Sequence, residues 1–130
     1  MAHDTHHHKE SFITKYIFSQ DHKMIGKQYL LTAIFMGAIG ITLSALFRMK
    51  LGWPDEKFPL LEAILGSDAA PEGLLDSNWY LGLVTLHGTI MVFFVLTGGL
   101  SGTFSNLLIP LQIGARDMAF PRLNAVAFWL

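Results

Sequence analysis

Charged residues in this chain come in clusters, and long stretches between the clusters carry none. Residues 28–47 contain no Asp, Glu, Lys or Arg, and neither do residues 77–115. A bilayer core takes roughly 20 apolar residues in helical form. The pattern predicts one membrane helix over residues 28–47 and a second over 79–109. The second is long enough to tilt or to project beyond the bilayer. A third apolar run opens at Leu123 and reaches Leu130, and is read as the start of a third span, 123–130. The remaining segments are an N-terminal stretch, 1–27, and two loops, 48–78 and 110–122. The predicted fold is an all-α membrane bundle.

Composition agrees: 52% of the 130 residues are hydrophobic and the mean hydropathy is +0.42. The formal net charge of −1 gives no basic stripe, so a nucleic-acid partner is excluded. Cysteine is absent, which excludes disulfides and thiolate metal sites within the chain. Met1 to Lys27 has no apolar core followed by a small-residue cleavage site, so the first span is expected to be a retained helix. Lys9, Lys15, Lys23 and Lys27 precede it, and Arg116 and Arg122 follow the second span. Arg48, Lys50 and Lys57 lie between the spans. Basic residues decide orientation and acids count little. Both ends are expected on the inner side and the 48–78 loop on the outer side.

That loop carries Pro54, Pro59 and Pro71 as punctuation. Trp53 and Trp79 suit an outer interface. Residues 58–65, FPLLEAIL, are expected to form either a short interfacial helix or a helix packed on the extramembrane surface. Small residues four apart share a helix face: Ala33 and Gly37, Gly40 and Ser44, Gly98 and Gly102. Such pairs let helix backbones approach closely in lipid.

His87 lies in the second span, which contains no Asp, Glu, Lys or Arg. It lies eight residues beyond Trp79, about 12 Å along the helix axis, too deep for so short a side chain to reach the interface. Ionisable groups at such depth face a bundle interior, a partner or a cofactor. Tyr80, Leu83, Val84, Met91 and Phe94 share its face at helical spacing, and Gly88 leaves room beside it. One imidazole among aromatic and aliphatic surface suits a large flat apolar cofactor, and imidazole is a common haem ligand. A histidine hydrogen-bonded to a neighbouring helix fits the same facts.

Four segments extend the argument: DHKMIGKQYLL (Asp21–Leu31), TLSALFRMKLG (Thr42–Gly52), VTLHGTIMVFF (Val84–Phe94) and NLLIPLQIGARDMAFPRLNAVAFWL (Asn106–Leu130). Together they resemble subunit I of the haem-copper oxygen reductases, the family of the catalytic subunit of cytochrome c oxidase. The resemblance runs from Ser19 to Leu130 except for much of the outer loop. It implies the N-terminal helices of a twelve-helix bundle. It also implies reduction of O₂ to water coupled to proton pumping.

By the same resemblance, His87 looks like one of two axial histidines on a low-spin haem, haem a in many members. Arg48 matches the arginine that hydrogen-bonds the haem formyl group, Tyr80 a tyrosine near a propionate, and Ser44 a small polar position beside that haem. Taken alone, Arg48 fits a helix-end residue reaching for water and Tyr80 fits an interfacial belt. Asp117 resembles the aspartate at the mouth of the D proton pathway, and Asn106 and Asn124 the asparagines lining its first part. On local chemistry alone Asp117 is a turn or N-cap residue.

The resemblance places the high-spin haem and copper B in the rest of the subunit, beyond Leu130. It implies subunits II and III and a bilayer as partners. Cytochrome c, or a quinol in a related oxidase, is the implied electron donor. The implied location is a bacterial cytoplasmic membrane or a mitochondrial inner membrane. A haem-free scaffold or assembly fragment is the alternative from another class. Where many mitochondrial-type members place an acid that helps bind Ca²⁺ or Na⁺, this chain has Lys50, which cannot ligate a cation; no ion is expected there. His3, His6, His7 and His8 are expected to be a solvated tail.

Overall fold

The computed structural model describes residues 11–130, so His3 and the histidines at 6–8 lie outside the described residues. The order is α1 (Phe12–Tyr16), α2 (His22–Gly52), α3 (Pro59–Leu65), a short 3₁₀ turn (Pro71–Gly73), α4 (Ser77–Gln112) and α5 (Pro121–Trp129). Among the described residues there is no strand.

Local chemistry sets the ends. Ser19 Oγ accepts from the Asp21 N–H at 3.2 Å, and Asp21 Oδ1 accepts from the Lys23 N–H at 3.3 Å. Asp21 thus caps α2. Six further residues therefore join the helix ahead of the expected span. At the other end Lys50 Nζ donates to the Pro54 carbonyl at 3.4 Å, and Pro54 disfavours helix at the residue before it. Asp76 caps α4 by accepting from the Asn78 N–H at 2.9 Å. Gly114, at φ +72°, closes α4 in the left-handed region, with the Ala115 N–H on the Pro110 carbonyl at 2.9 Å. Pro59, Pro71 and Pro121 open their helices, where a missing N–H removes no bond.

With 31 residues, α2 is about 45 Å long, more than the ~30 Å hydrocarbon core. That length is enough to cross a bilayer and still leave the first turn, which carries Lys23, in water. Large apolar side chains stay exposed along both long helices, among them Leu31, Phe35 and Ile41 on α2 and Leu81, Phe93 and Leu96 on α4. Surfaces of that kind face lipid or further helices.

The described residues divide into two compact units. One comprises residues 31–101. There α2 and α4 meet through small residues: a Cβ built on Gly99 would lie 2.4 Å from the Ala33 Cβ, and one on Gly40 would lie 2.8 Å from the Met91 sulfur. From Ile90 to Ser101 α4 widens into π-helical winding, whose i→i+5 bonding breaks the four-residue repeat. Gly99 is therefore the glycine at the close approach. The expected pair of Gly98 and Gly102 does not act as one face: a Cβ on Gly98 would meet only the Phe93 carbonyl of its own helix. Gly99→Ala is expected to cost about 1–3 kcal/mol, because a methyl meets a methyl and neither can rotate away. Thermal unfolding of the assembled protein measures it, and an unchanged midpoint would contradict this packing.

In the same unit the loop between α2 and α4 has its own small core. Leu61, Ala70 and Leu75 pack with Leu46 of α2 and Leu83 of α4, flanked by Phe47 and Tyr80. The FPLLEAIL segment does form a helix there, with Leu61 buried and Leu60 and Ile64 exposed. The Phe58 N–H donates to the Gly73 carbonyl at 3.0 Å. Gly73 stands at φ +79°, where an added Cβ would lie 2.8 Å from the Phe58 backbone. Gly73→Ala combines strain with a clash against backbone, and is expected to cost about 1–3 kcal/mol. Faster proteolysis within residues 53–76 is the readout, and native resistance would count against it. Lys57 pairs with Glu72, and this hydrogen bond holds the Glu72 carboxyl below its ordinary range.

The other unit comprises residues 11–30 and 102–130. Gln28 Nε2 donates to the Tyr16 and Ile17 carbonyls at 2.5 and 2.8 Å, tying α1 to α2. Gly26 lets α2 approach α4, since an added Cβ would lie 2.9 Å from Leu107 Cγ and 3.4 Å from Asn106 Cβ. Gly102 makes room for the Tyr29 ring in the same way. Tyr29 packs edge-on against Phe128 of α5, with ring centroids 4.8 Å apart.

Candidate functional sites on the two units

In the unit of residues 31–101 the site is built around His87. Its ring Nδ1 lies 2.8 Å from the Gly40 carbonyl oxygen of α2. Gly40 is buried, and the small residue lets α4 come close enough for that bond. A carbonyl only accepts, so Nδ1 carries the hydrogen and donates it. The neutral ring then has its lone pair on Nε2, which has no hydrogen-bond partner among the described residues. His87 is half-buried. Phe47 stands edge-on to it at 5.6 Å and edge-on to Tyr80 at 6.1 Å. A Cβ on Gly88 would meet nothing within 4 Å.

Gly40, Ser44 and Arg48 follow one another at four-residue spacing on α2, hence on one face. Ser44 is half-buried, and Arg48 is exposed with no ion pair among the described residues. A cleft of about 230 Å³ lies among Lys50, Leu51, Ser77 and Tyr80. The structure thus brings His87 and Tyr80 together through Phe47. Phe47 was missed in the sequence, although it sits seven residues on from Gly40, two turns along the same face.

In the unit of residues 11–30 and 102–130 a polar cluster surrounds Asp117. Its Oδ1 accepts from the Met118 N–H at 2.8 Å and lies 2.9 Å from His22 Nδ1. The hydrogen bond to His22, then that to Met118, holds the Asp117 carboxyl below its ordinary range. The N-cap of α5 is Phe120, with no side-chain cap, so Asp117 does not cap that helix. Asn124 Nδ2 donates to Asn106 Oδ1 at 2.5 Å, and Asn106 Nδ2 donates to the Gly102 carbonyl at 2.7 Å. Asn106 is 4% exposed, and Thr103, one turn away, is also buried. His22 carried no expected role. Its contact with Asp117 spans 95 residues, and no local pattern announces it.

Among the described residues no three His, Cys, Asp or Glu side chains converge as a metal site. A single imidazole with its Nε2 lone pair free is the kind of donor that binds haem iron, and a Cβ on Gly88, the next residue, would meet nothing within 4 Å.

Residues 24–130 match the family described as "Cytochrome C and Quinol oxidase polypeptide I". The chain is 41% identical over 124 residues to "Alternative cytochrome c oxidase subunit 1" of Bradyrhizobium diazoefficiens, covering 95% of this chain and 18% of that protein. It is 44% identical over 115 residues to "Cytochrome c oxidase subunit 1" of Thermostichus vulcanus, covering 88% and 18%. It is 34% identical over 141 residues to the protein of that name in Cereibacter sphaeroides, covering 98% and 25%. The chain therefore spans about a fifth of the length of the curated relatives it matches.

Proposed function

Because this chain belongs to the cytochrome c and quinol oxidase polypeptide I family, we propose that it is the N-terminal part of the catalytic subunit of a proton-pumping terminal oxidase, in which His87 is an axial ligand of the low-spin haem. The observation that carries this is the Nδ1 bond from His87 to the Gly40 carbonyl. Ligating histidines almost always donate their other ring N–H to a carbonyl or carboxylate, which fixes tautomer and orientation. The bond to a neighbouring helix and the role of ligand are thus compatible, one on each nitrogen.

When bound, the haem supplies reversible one-electron storage at its iron. His87 would hold the group through Nε2, and Phe47 packs between His87 and Tyr80. Arg48 and Ser44, on the face that carries Gly40, offer a cation and a hydroxyl to its polar substituents. Tyr80 and Lys50 offer a hydroxyl and an ammonium at the 230 Å³ cleft, a suitable setting for a carboxylate substituent. Asp117 collects protons on the inner side, and Asn106 with Asn124 supports the hydrogen-bonded line that follows.

The second axial ligand, the high-spin haem and copper B belong to the rest of the subunit, assembled with subunits II and III in a membrane. A bacterial cytoplasmic membrane fits relatives such as that of Bradyrhizobium, and a mitochondrial inner membrane is the alternative. The names of the relatives favour cytochrome c over quinol as electron donor. The test is optical: the low-spin haem band of the assembled oxidase is expected to depend on His87, and a band that survives its replacement overturns the assignment.

A further inference from the structure

Arg122, Ala125, Val126 and Trp129 stand at i, i+3, i+4 and i+7 on α5 and so share one of its faces. That face grades from a guanidinium to an indole about 10 Å further along the axis, with the small side chain of Ala125 between them. It lines a groove of about 470 Å³, which Phe18 and Gln20 also line from the segment between α1 and α2. The Phe18 and Trp129 rings meet there, with centroids 5.6 Å apart. All six residues belong to the unit of residues 11–30 and 102–130. The volume falls within the roughly 300–1,000 Å³ of ordinary ligand sites.

Charge distinguishes the two ends of this groove. Arg122 is exposed and has no ion pair among the described residues. Its unit carries Lys15, Lys23, Lys27, Arg116 and Arg122 against the carboxylates of Asp21 and Asp117. Asp117 is engaged by His22 and the Met118 N–H, and Asp21 accepts from the Lys23 N–H. The surplus is positive, and neither carboxylate pairs with Arg122. A guanidinium presents a planar fork of donors that matches two oxygens of a phosphate, and the Gln20 amide is a further donor. Beyond Arg122, residues 123–130 carry no charge. The groove therefore runs from a cationic mouth at the water boundary to an aromatic and aliphatic floor. Basic pockets between membrane helices on the cytoplasmic side hold anionic lipid headgroups, and the basic residues place this unit on that side.

We propose that this groove binds an anionic phospholipid of the inner leaflet: Arg122 and Gln20 hold the phosphate, and an acyl chain lies over Ala125 and Val126 toward Phe18 and Trp129. Free phosphate would use the cation and leave the apolar length empty. A zwitterionic phospholipid would fill that length but gain little from the surplus positive charge. One molecule with a net negative head and a hydrocarbon tail satisfies both ends. The site is independent of the roles assigned to His87 and Asp117.

The experiment uses the assembled oxidase, native and with Arg122→Gln, Arg122→Lys or Ala125→Leu, in phosphatidylcholine nanodiscs with added phosphatidylglycerol. Native mass spectrometry counts the retained phosphatidylglycerol and gives its affinity by titration. Arg122→Gln is expected to lose one retained phosphatidylglycerol and to bind it about five- to tenfold more weakly, the scale of one cation removed from an anionic lipid. Arg122→Lys is expected to fall between, since it keeps the charge without the fork. Ala125→Leu is expected to lose the same lipid with the charge intact, because its side chain fills the groove. If Arg122→Gln does not assemble, Ala125→Leu decides. Native retention in Arg122→Gln or in Ala125→Leu overturns the proposal. So does retention of phosphatidylcholine as firmly as phosphatidylglycerol, or displacement of the lipid by inorganic phosphate alone. Loss of a neighbouring subunit from Arg122→Gln with its lipid count unchanged overturns it too, and assigns the groove to a protein partner.

Discussion

Replacing His87 with Ala in the complete subunit is expected to abolish the low-spin haem spectrum and, with it, turnover. The substitution removes a donor that the fold has already oriented. The Gly40 carbonyl takes the Nδ1 hydrogen, so the ring has one tautomer and little freedom to rotate. No second imidazole is among the described contacts of His87. Phe47 and Tyr80 are the aromatic neighbours, and no metal-binding cluster exists among the described residues. Loss of an outer-shell partner typically weakens metal binding about 10–100-fold; loss of the ligand itself should exceed that. The measurement is the reduced-minus-oxidised spectrum alongside haem extraction. Full occupancy with an unchanged low-spin band would show that His87 only ties α4 to α2 through Gly40. A haem-free scaffold makes the opposite prediction, with no spectrum in either protein.

The sequence made some of this legible, for physical reasons that can be named. The long helices were visible because exclusion of charge from residues 28–47 and 77–115 reflects the cost of charge in hydrocarbon. Their ends were less visible. The helix α2 starts at His22 because Ser19 and Asp21 cap it, a signal that the search for an apolar span passes over. The π winding of Ile90–Ser101 has no periodic signature in a stretch that is apolar throughout, and so Gly98 was taken for the contact that Gly99 makes. The loop helix was foreshadowed by FPLLEAIL, but its packing on Leu46 and Leu83 needed the fold. Motif resemblance picked out His87, Tyr80, Asn106, Asn124 and Asp117, and the structure joins Asn106 to Asn124 by a direct bond. It also supplied what motifs omitted: Phe47 between two of them, and His22 behind a third. Such neighbours are decided by contacts across the chain, where a sequence pattern has nothing to repeat.

Asp117→Asn is expected to slow proton uptake on the order of 10²-fold, the scale of losing a positioned acid–base group, while haem content stays native. Asn is a demanding substitution to survive for a purely structural explanation. Its amide oxygen can still accept from the Met118 N–H and from His22, the two bonds that Asp117 makes, so the turn keeps its shape. What disappears is the charge. In the native protein the His22 and Met118 hydrogen bonds hold the Asp117 carboxyl below its ordinary range, so it is ionised throughout neutral pH and attracts protons from solvent. The sign of the pH dependence follows from that direction. A carboxyl depressed in the folded state contributes stability above its unfolded pKa, and loses it as pH falls through the folded value. Native uptake should therefore lose its Asp117 contribution only in acid, below the usual carboxylate range, whereas the Asn variant should be slow at neutral pH and show no such limb. Measured over that range by pH-dye kinetics on the assembled oxidase, matching profiles for the two proteins would reduce Asp117 to a turn residue and place proton entry elsewhere.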